Sequence, residues 1–466
     1  MSFSPTDFGV GLPTARWLLV SAFLVVILIA ALRRRASSGK RDRHRRGVRI
    51  SGGFARMRPT RAASTAVTVA GWRLNPLDEV RHIKMIGTTG TGKSTAIREI
   101  LQAALSRGDR ALVSDPDGGY MRRFMRPYRG DLILNPFEAA SQTWDLFGEL
   151  CIDYDVEQLS ESLIAPSADA STQEWRSYAR VLLASLLRFC RDLPNPSVGE
   201  LWRLLSTAPV AELRAVLAGT PAQPFLETEN ARMFSSIRSV ASAALAPLEP
   251  IARQRAAPLA VRHWVRHGRG VLFMPYRAGQ IAALRSLIAA WLRLAIFETM
   301  DAPENVDQRL WFVIDELDAL GPIAGLKDAL ARLRKFGGRC VLGCQSIAQV
   351  SSTYGAGEAQ TIVENCGNTL ILRCGGSEHG GTSQFAAKLI GEREVVRVQR
   401  SRTREGPALF STRGATHSRQ SSEHQLLEPA VLASELEQLP DLCGYLKLTS
   451  TPAWRRVKLA FPPSIQ

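Results

Sequence analysis

The chain has 466 residues, 45% of them apolar, enough for a sizeable core and two or three domains, and this excludes wholesale disorder. The net charge of +16 is uneven: residues 1–61 hold 13 basic side chains against only Asp7 and Asp42, so the rest of the chain is close to balance. Bulk charge therefore does not make the body of the chain a nucleic-acid binder. The basic N-terminal run suits a topology signal beside a membrane, with direct polyanion binding as the alternative.

In chain order, residues 17–32 (WLLVSAFLVVILIAAL) form an uncharged apolar run. As a helix it would span about 24 Å, which flanking residues can extend to a membrane crossing. Arg33, Arg34 and Arg35 follow it, then Lys40, Arg41, Arg43, Arg45 and Arg46. The positive-inside rule puts the N-terminus outside and the bulk of the chain in the cytoplasm, as a single-pass protein. A cleaved signal peptide would carry its charges before the run. A buried core helix is the other reading. Residues 1–35 are thus expected to be a membrane anchor and 36–65, rich in Arg, Ser, Gly and Ala, a basic linker.

Residues 66–72 and 82–86 read as strands, 93–107 as a helix and 111–113 as a strand. This alternation, up to residue 152, predicts an α/β domain with a mainly parallel sheet. From 153 to 262 apolar residues recur at helical spacing, Pro residues punctuate the pattern and strand-like runs are missing, which predicts an all-α insertion. The α/β pattern resumes over 263–466. Strands are expected at 270–275, 310–314, 339–344 and 369–373, a helix at 279–299, and two last strands at 444–449 and 456–460. The polar stretch 399–424 reads as a loop.

The seven cysteines form no CxxC pair, and the pattern suits a reducing cytoplasm. His263 and His267 have i,i+4 spacing without a third ligand nearby, so no metal site is expected there.

The chemistry begins with Gly87, Thr88, Thr89, Gly90, Thr91, Gly92, Lys93 and Ser94, followed by Thr95. This string fits GxxxxGK[ST] at every fixed position, after an expected strand and at the start of a helix. Glycines let backbone N–H groups wrap phosphates, and a helix N-terminus favours anions. Lys93 would reach the β- and γ-phosphates of ATP, and Ser94 would ligate Mg²⁺. Asp315 and Glu316 end the apolar strand LWFVI. Asp315 would complete the Mg²⁺ shell and Glu316 would act as general base, with an acidic helix cap as the alternative. Gln345 ends the next strand, on the same edge of a parallel sheet, where it is either near the γ-phosphate or a capping residue. Arg334, toward the end of the helix after Glu316, is either an arginine finger for a neighbouring subunit or a solvated helix end.

Together these residues resemble the coupling proteins of conjugative type IV secretion, the TraD/TrwB type, related to FtsK-like DNA pumps. The likeness covers residues 81–446 and rests on linked strings: RHIKMIGTTGTGKS, SDPDGGYMRRF, DLILNPF, QEWRSY, LWFVIDELDAL, RKFGGRCVLGCQSIAQV, YGAGEAQTIVENCGNT and LPDLCGYL. It implies a RecA-like P-loop fold whose helical insertion faces the cytoplasm. It further implies an inner-membrane, DNA-stimulated ATPase that forms a homo-hexamer and brings a relaxase–DNA complex, the relaxosome, to the secretion channel. Gln345 then matches a γ-phosphate sensor, Arg334 an arginine acting on the neighbouring subunit, and Arg81 another nucleotide-proximal arginine. Two departures stand out. Members typically have two membrane helices, and one is found here. A long C-terminal tail that some members use to hold a relaxosome partner is not expected either. An FtsK-like translocase without a secretion partner and a docking receptor that has lost hydrolysis are the competing readings.

Overall fold

The computed structural model describes residues 43–54, 66–167, 169–376, 381–405 and 416–460. The expected membrane helix at 17–32 lies outside them. Among the described residues, no helix is long and apolar enough to cross a membrane.

Two compact units emerge. The larger is built on a ten-stranded sheet. From one edge its order is Ile50–Ser51, Trp454–Lys458, Cys443–Lys447, Asn368–Ile371, Ile83–Ile86, Gly338–Cys344, Leu310–Ile314, Arg110–Pro116, Val271–Tyr276 and Leu132–Ile133. From Asn368–Ile371 to Leu132–Ile133 all neighbours are parallel. Cys443–Lys447 and Trp454–Lys458 join as antiparallel strands. The central strands are buried throughout, which explains their unbroken apolar runs: in a parallel sheet both faces are covered. One cover is the helix Lys93–Ser106, which lays Ala96, Ile97, Ile100, Leu101 and Ala104 on Met85, Val113, Val313 and Val341. Each fully buried Ile or Leu there contributes about 1.5–3 kcal/mol.

The two ends of the parallel strands differ in chemistry. At the N-terminal end, Glu79 binds Arg107 at 2.8 Å and Arg339 at 3.0 Å. Asp109 accepts from Arg107 and, at 2.9 Å, from the Trp311 indole. Truncating one partner of such a buried pair costs about 3–5 kcal/mol, so this end is locked. Asn368, from the NCGNT string, adds to the lock by donating to the carbonyls of Asp78 and His82 at 2.6 and 2.9 Å. The C-terminal end is left to the glycine loop and the acids.

Helices follow one another from Asp153–Leu163 through Ala170–Arg191 and Ala231–Leu245 to Val261–His267. One expectation fails here. Pro258–Leu259 is a short strand that pairs in parallel with Thr143–Trp144, bringing the two ends of the helical stretch together. Residues 66–72 are also not one strand. Thr68–Val69 turns back on Trp72–Arg73 through Ala70 (φ 51°) and Gly71 (φ 77°).

The smaller unit holds a three-stranded antiparallel sheet of Arg43–Gly47, Glu392–Glu405 and Thr416–Pro429. This corrects two expectations. Residues 36–65 are not only a linker, because 43–47 form a strand and Glu394 binds Arg45 at 3.0 Å as well as Arg46. The stretch 399–424 is not simply a loop. Its polar composition hides two strands that pair in continuous register from Glu392 with Pro429 to Glu405 with Thr416. Two-sided polar strands lack the apolar alternation that would reveal them.

Candidate nucleotide site

The loop 87–92 leaves the strand Ile83–Ile86 and enters the helix Lys93–Ser106. Gly90 (φ 78°) and Gly92 (φ 121°) hold conformations that side chains oppose. At Gly92 a Cβ would also meet Leu459 at 2.9 Å and Leu442 at 3.0 Å. The loop is fixed from outside. Thr88 N–H donates to the Arg373 carbonyl at 2.9 Å, and Leu442 N–H to the Thr91 carbonyl at 2.9 Å. Leu442 itself is in the left-handed region (φ 64°), held because its own carbonyl accepts from Leu459 at 2.7 Å. The LPDLCGYL string therefore serves the loop, and Asp441 adds an ion pair to Arg373 at 2.6 Å.

Lys93 opens the helix and is buried. Its ammonium donates to the carbonyls of Gly87 and Thr88, the latter at 3.2 Å. Burial lowers its pKa, and the charge of Asp315 is the strongest opposing influence. The first turn has no acidic residue and no side-chain cap, so its amides remain free for an anion.

Asp315 follows the strand Leu310–Ile314 and is buried. The neighbouring strand passes so close that a Cβ on Gly343 would lie 2.1 Å from the Asp315 carbonyl oxygen, which requires glycine there. Asp315 Oδ2 accepts two hydrogen bonds, from Ser94 Oγ at 2.8 Å and from the Tyr120 hydroxyl at 2.7 Å. Asp315 Oδ1 is buried without a partner, as is Asp318 Oδ1 three residues on. Glu316 is half-buried and accepts from Gln345 Nε2 at 2.7 Å, while Gln345 Oε1 accepts from the Thr89 hydroxyl at 2.9 Å. Gln345 thus bridges the loop and Glu316. Burial, then the charge of Asp315, raises the pKa of Glu316.

This donor set fits a nucleotide with Mg²⁺. Free amides and a buried ammonium suit phosphate oxygens. A buried carboxylate oxygen without a partner carries a penalty of about 1–3 kcal/mol that a metal's water shell would relieve. Ser94 and Asp315 would be the residues to hold such a metal.

The structure does not bring the two arginines to this site. Arg334 is exposed in the tight turn Leu333–Phe336, after the helix Leu326–Arg332 has ended. It precedes the strand Gly338–Cys344 and so stands at the opposite end of the sheet from the loop. Arg81 is likewise exposed before Ile83–Ile86, at that same far end, so it is not proximal to a nucleotide in its own chain.

Sequence reasoning missed Tyr120, Leu442 and Gly343. Tyr120 was visible only as part of SDPDGGY, and nothing in its spacing ties it to Asp315.

A family model described as the type IV secretion-system coupling protein DNA-binding domain matches residues 66–460. Coupling protein TraD of Escherichia coli (strain K12) is 30% identical over 378 residues, covering 79% of this chain and 51% of TraD. The conjugal transfer protein TraG of Escherichia coli is 21% identical over 363 residues, 68% of this chain and 56% of TraG. The chain spans about half the length of these curated relatives. Among solved structures, the unbound bacterial conjugative coupling protein TrwBdeltaN70 superposes with a TM-score of 0.78 at 31% identity, covering 92% of this chain and 96% of that one. The plasmid coupling protein TrwB in complex with ADP and Mg²⁺ gives 0.77 at 31%, with the same coverage. The chain belongs to the type IV secretion-system coupling proteins.

Proposed function

We propose that this chain is a membrane-anchored, DNA-stimulated ATPase that couples a relaxosome to the conjugative secretion channel and drives DNA transfer by hydrolysing ATP. The observation that carries this reading is the convergence of Lys93, Ser94, Asp315, Glu316 and Gln345 at one end of the parallel strands. The related protein TrwB solved with ADP and Mg²⁺, and with a non-hydrolysable ATP analogue, supports the same ligands here. Residues 17–32 hold the chain in the inner membrane with its N-terminus in the periplasm. The working form is a homo-hexamer, in which Arg334 and Arg81 act on the site of a neighbouring subunit. Their exposed place at the end of the sheet away from their own loop is compatible with this.

Within one subunit the residues divide the work. Lys93 and the first-turn amides bind and orient the β- and γ-phosphates. Ser94 and Asp315 hold Mg²⁺, which when bound neutralises charge on those phosphates. Glu316 takes a proton from the attacking water, and Gln345 reports the γ-phosphate to Glu316 through its amide. Glu316→Gln therefore leaves nucleotide affinity near wild type and slows hydrolysis by about 10²–10⁴-fold. Equilibrium binding of a fluorescent ATP analogue beside single-turnover hydrolysis checks this, and loss of binding would make Glu316 structural.

The test of the whole reading is ATP turnover by the detergent-solubilised full chain, with and without DNA, across a salt series. DNA is expected to raise turnover. Its apparent affinity should fall with salt at a log–log slope of about −0.9 per phosphate neutralised on duplex, or about −0.7 on single strands. Turnover indifferent to DNA would remove the pump, and absence of turnover would leave the docking receptor. Loss of conjugation in a strain without the gene separates this reading from a translocase unconnected to secretion.

A further inference from the structure

The SDPDGGYMRRF string has no part in the chemistry above, yet it delivers a buried hydroxyl to the metal-site carboxylate. Asp115, at the end of its strand, accepts the backbone N–H groups of Tyr120 (3.0 Å) and Met121 (2.6 Å) and so fixes the start of the helix Gly119–Phe124. Gly118 precedes that helix with φ 65°, turning the chain sharply out of the strand. Tyr120 is thereby aimed inward. Its side chain is 2% exposed, and the Arg98 guanidinium lies 5.7 Å from its ring centroid. A phenol so buried needs a partner for its hydroxyl, and that partner is Asp315 Oδ2 at 2.7 Å.

Ser94 donates to the same oxygen. Two donors converging on Oδ2 leave one orientation for the carboxylate plane. The other oxygen, Oδ1, is buried and receives nothing from the protein. Ser94 can give its proton to Oδ2 while an oxygen lone pair faces a metal, so its bond and that of Tyr120 act together. Tyr120 is anchored at its backbone by Asp115, so its hydroxyl reaches Oδ2 from a fixed direction.

We infer that Tyr120 is a positioning residue for the metal-binding carboxylate: its hydroxyl orients Asp315 so that Oδ1 is presented to Mg²⁺. This rests on the nucleotide-site reading. Tyr120 is not assigned as a ligand itself; its effect passes through the groups its hydroxyl meets, Asp315 foremost. Hydrogen-bond partners of metal-binding groups typically change metal affinity or activity by 10–100-fold.

The test is binding of fluorescent ADP to the detergent-solubilised full chain, first in EDTA and then across an Mg²⁺ titration. Tyr120→Phe keeps the ring and loses only the hydroxyl. It should bind ADP in EDTA as wild type does and need about 10-fold more Mg²⁺ to reach half of the metal-dependent change. With 4-aminophenylalanine at position 120, a donor returns and the midpoint should move back toward wild type. In an Asp315→Asn background, Tyr120→Phe should add no further shift. An unchanged midpoint in Tyr120→Phe overturns the inference. So does equal weakening with and without Mg²⁺, or failure of the variant to fold, since either makes the hydroxyl a general support of the core. A wild-type chain that bound no nucleotide would instead overturn the site reading itself.

Discussion

Lys93→Ala is expected to abolish ATP hydrolysis and DNA transfer while the chain still folds. The ammonium is buried at the start of the loop helix and donates to the carbonyls of Gly87 and Thr88. Its burial lowers its pKa, so the fold carries the desolvation of a cation that it does not need for packing. Removing it leaves those two carbonyls short of a donor and relieves that desolvation, two effects of opposite sign. Stability should therefore move by no more than about 2 kcal/mol, within the range of ordinary single substitutions. Catalysis has no such compensation, because the charge that Lys93 would bring to the phosphates is lost outright. Turnover by the purified variant, beside its thermal unfolding midpoint, decides the matter. Wild-type turnover would mean that the phosphates bind elsewhere.

The second large effect belongs to Arg334. An arginine supplied to the transition state of phosphoryl transfer is worth ~10³–10⁵ in rate, through charge that develops only as the bond breaks. Arg334→Ala should cut turnover by that order with little change in nucleotide affinity. Arg334→Lys should restore only part of it, since lysine lacks the planar fork that bridges two oxygens. Geometry makes a sharper test. Arg334 stands at the far end of the strands from Lys93, so the two inactive single variants complement each other only across a subunit boundary. In rings mixed from Lys93→Ala and Arg334→Ala subunits, some interfaces regain both groups, and ATPase activity should reappear. If mixed assembly is verified and activity stays at the level of either variant alone, Arg334 is a solvated turn residue and nothing more.

The parallel core was legible because burial on both faces writes itself into sequence as unbroken apolar runs such as LWFVI, which is the observed strand Leu310–Ile314. The loop and the acid pair were legible because their chemistry is local: consecutive glycines, then a lysine, and two acids at a strand end. Tyr120 was not, because its role depends on a contact 195 residues away in sequence. Gly343 was not, because its requirement is a close approach to the Asp315 backbone that only the assembled sheet creates. The hairpin of Glu392–Glu405 and Thr416–Pro429 was missed for a different reason: Ser, Arg and Gln on both faces carry no period of two. Arg334 had a local alternative as a solvated helix end and Arg81 was placed by analogy alone; the sheet adds only that both stand at the end away from their own loop.

The glycine loop is also closed by the far end of the chain. Leu442 N–H caps the Thr91 carbonyl, and Leu442 and Leu459 press on Gly92. During synthesis, then, residues 87–94 leave the ribosome long before the groups that shape them, about 365 residues ahead of Leu459. At ~5–20 residues per second this is a lag of roughly 20–70 s. Throughout it a nascent chain has its phosphate-binding residues but not the wall that fixes their conformation. The loop 87–92 therefore takes its finished conformation only once the last strand pair has docked.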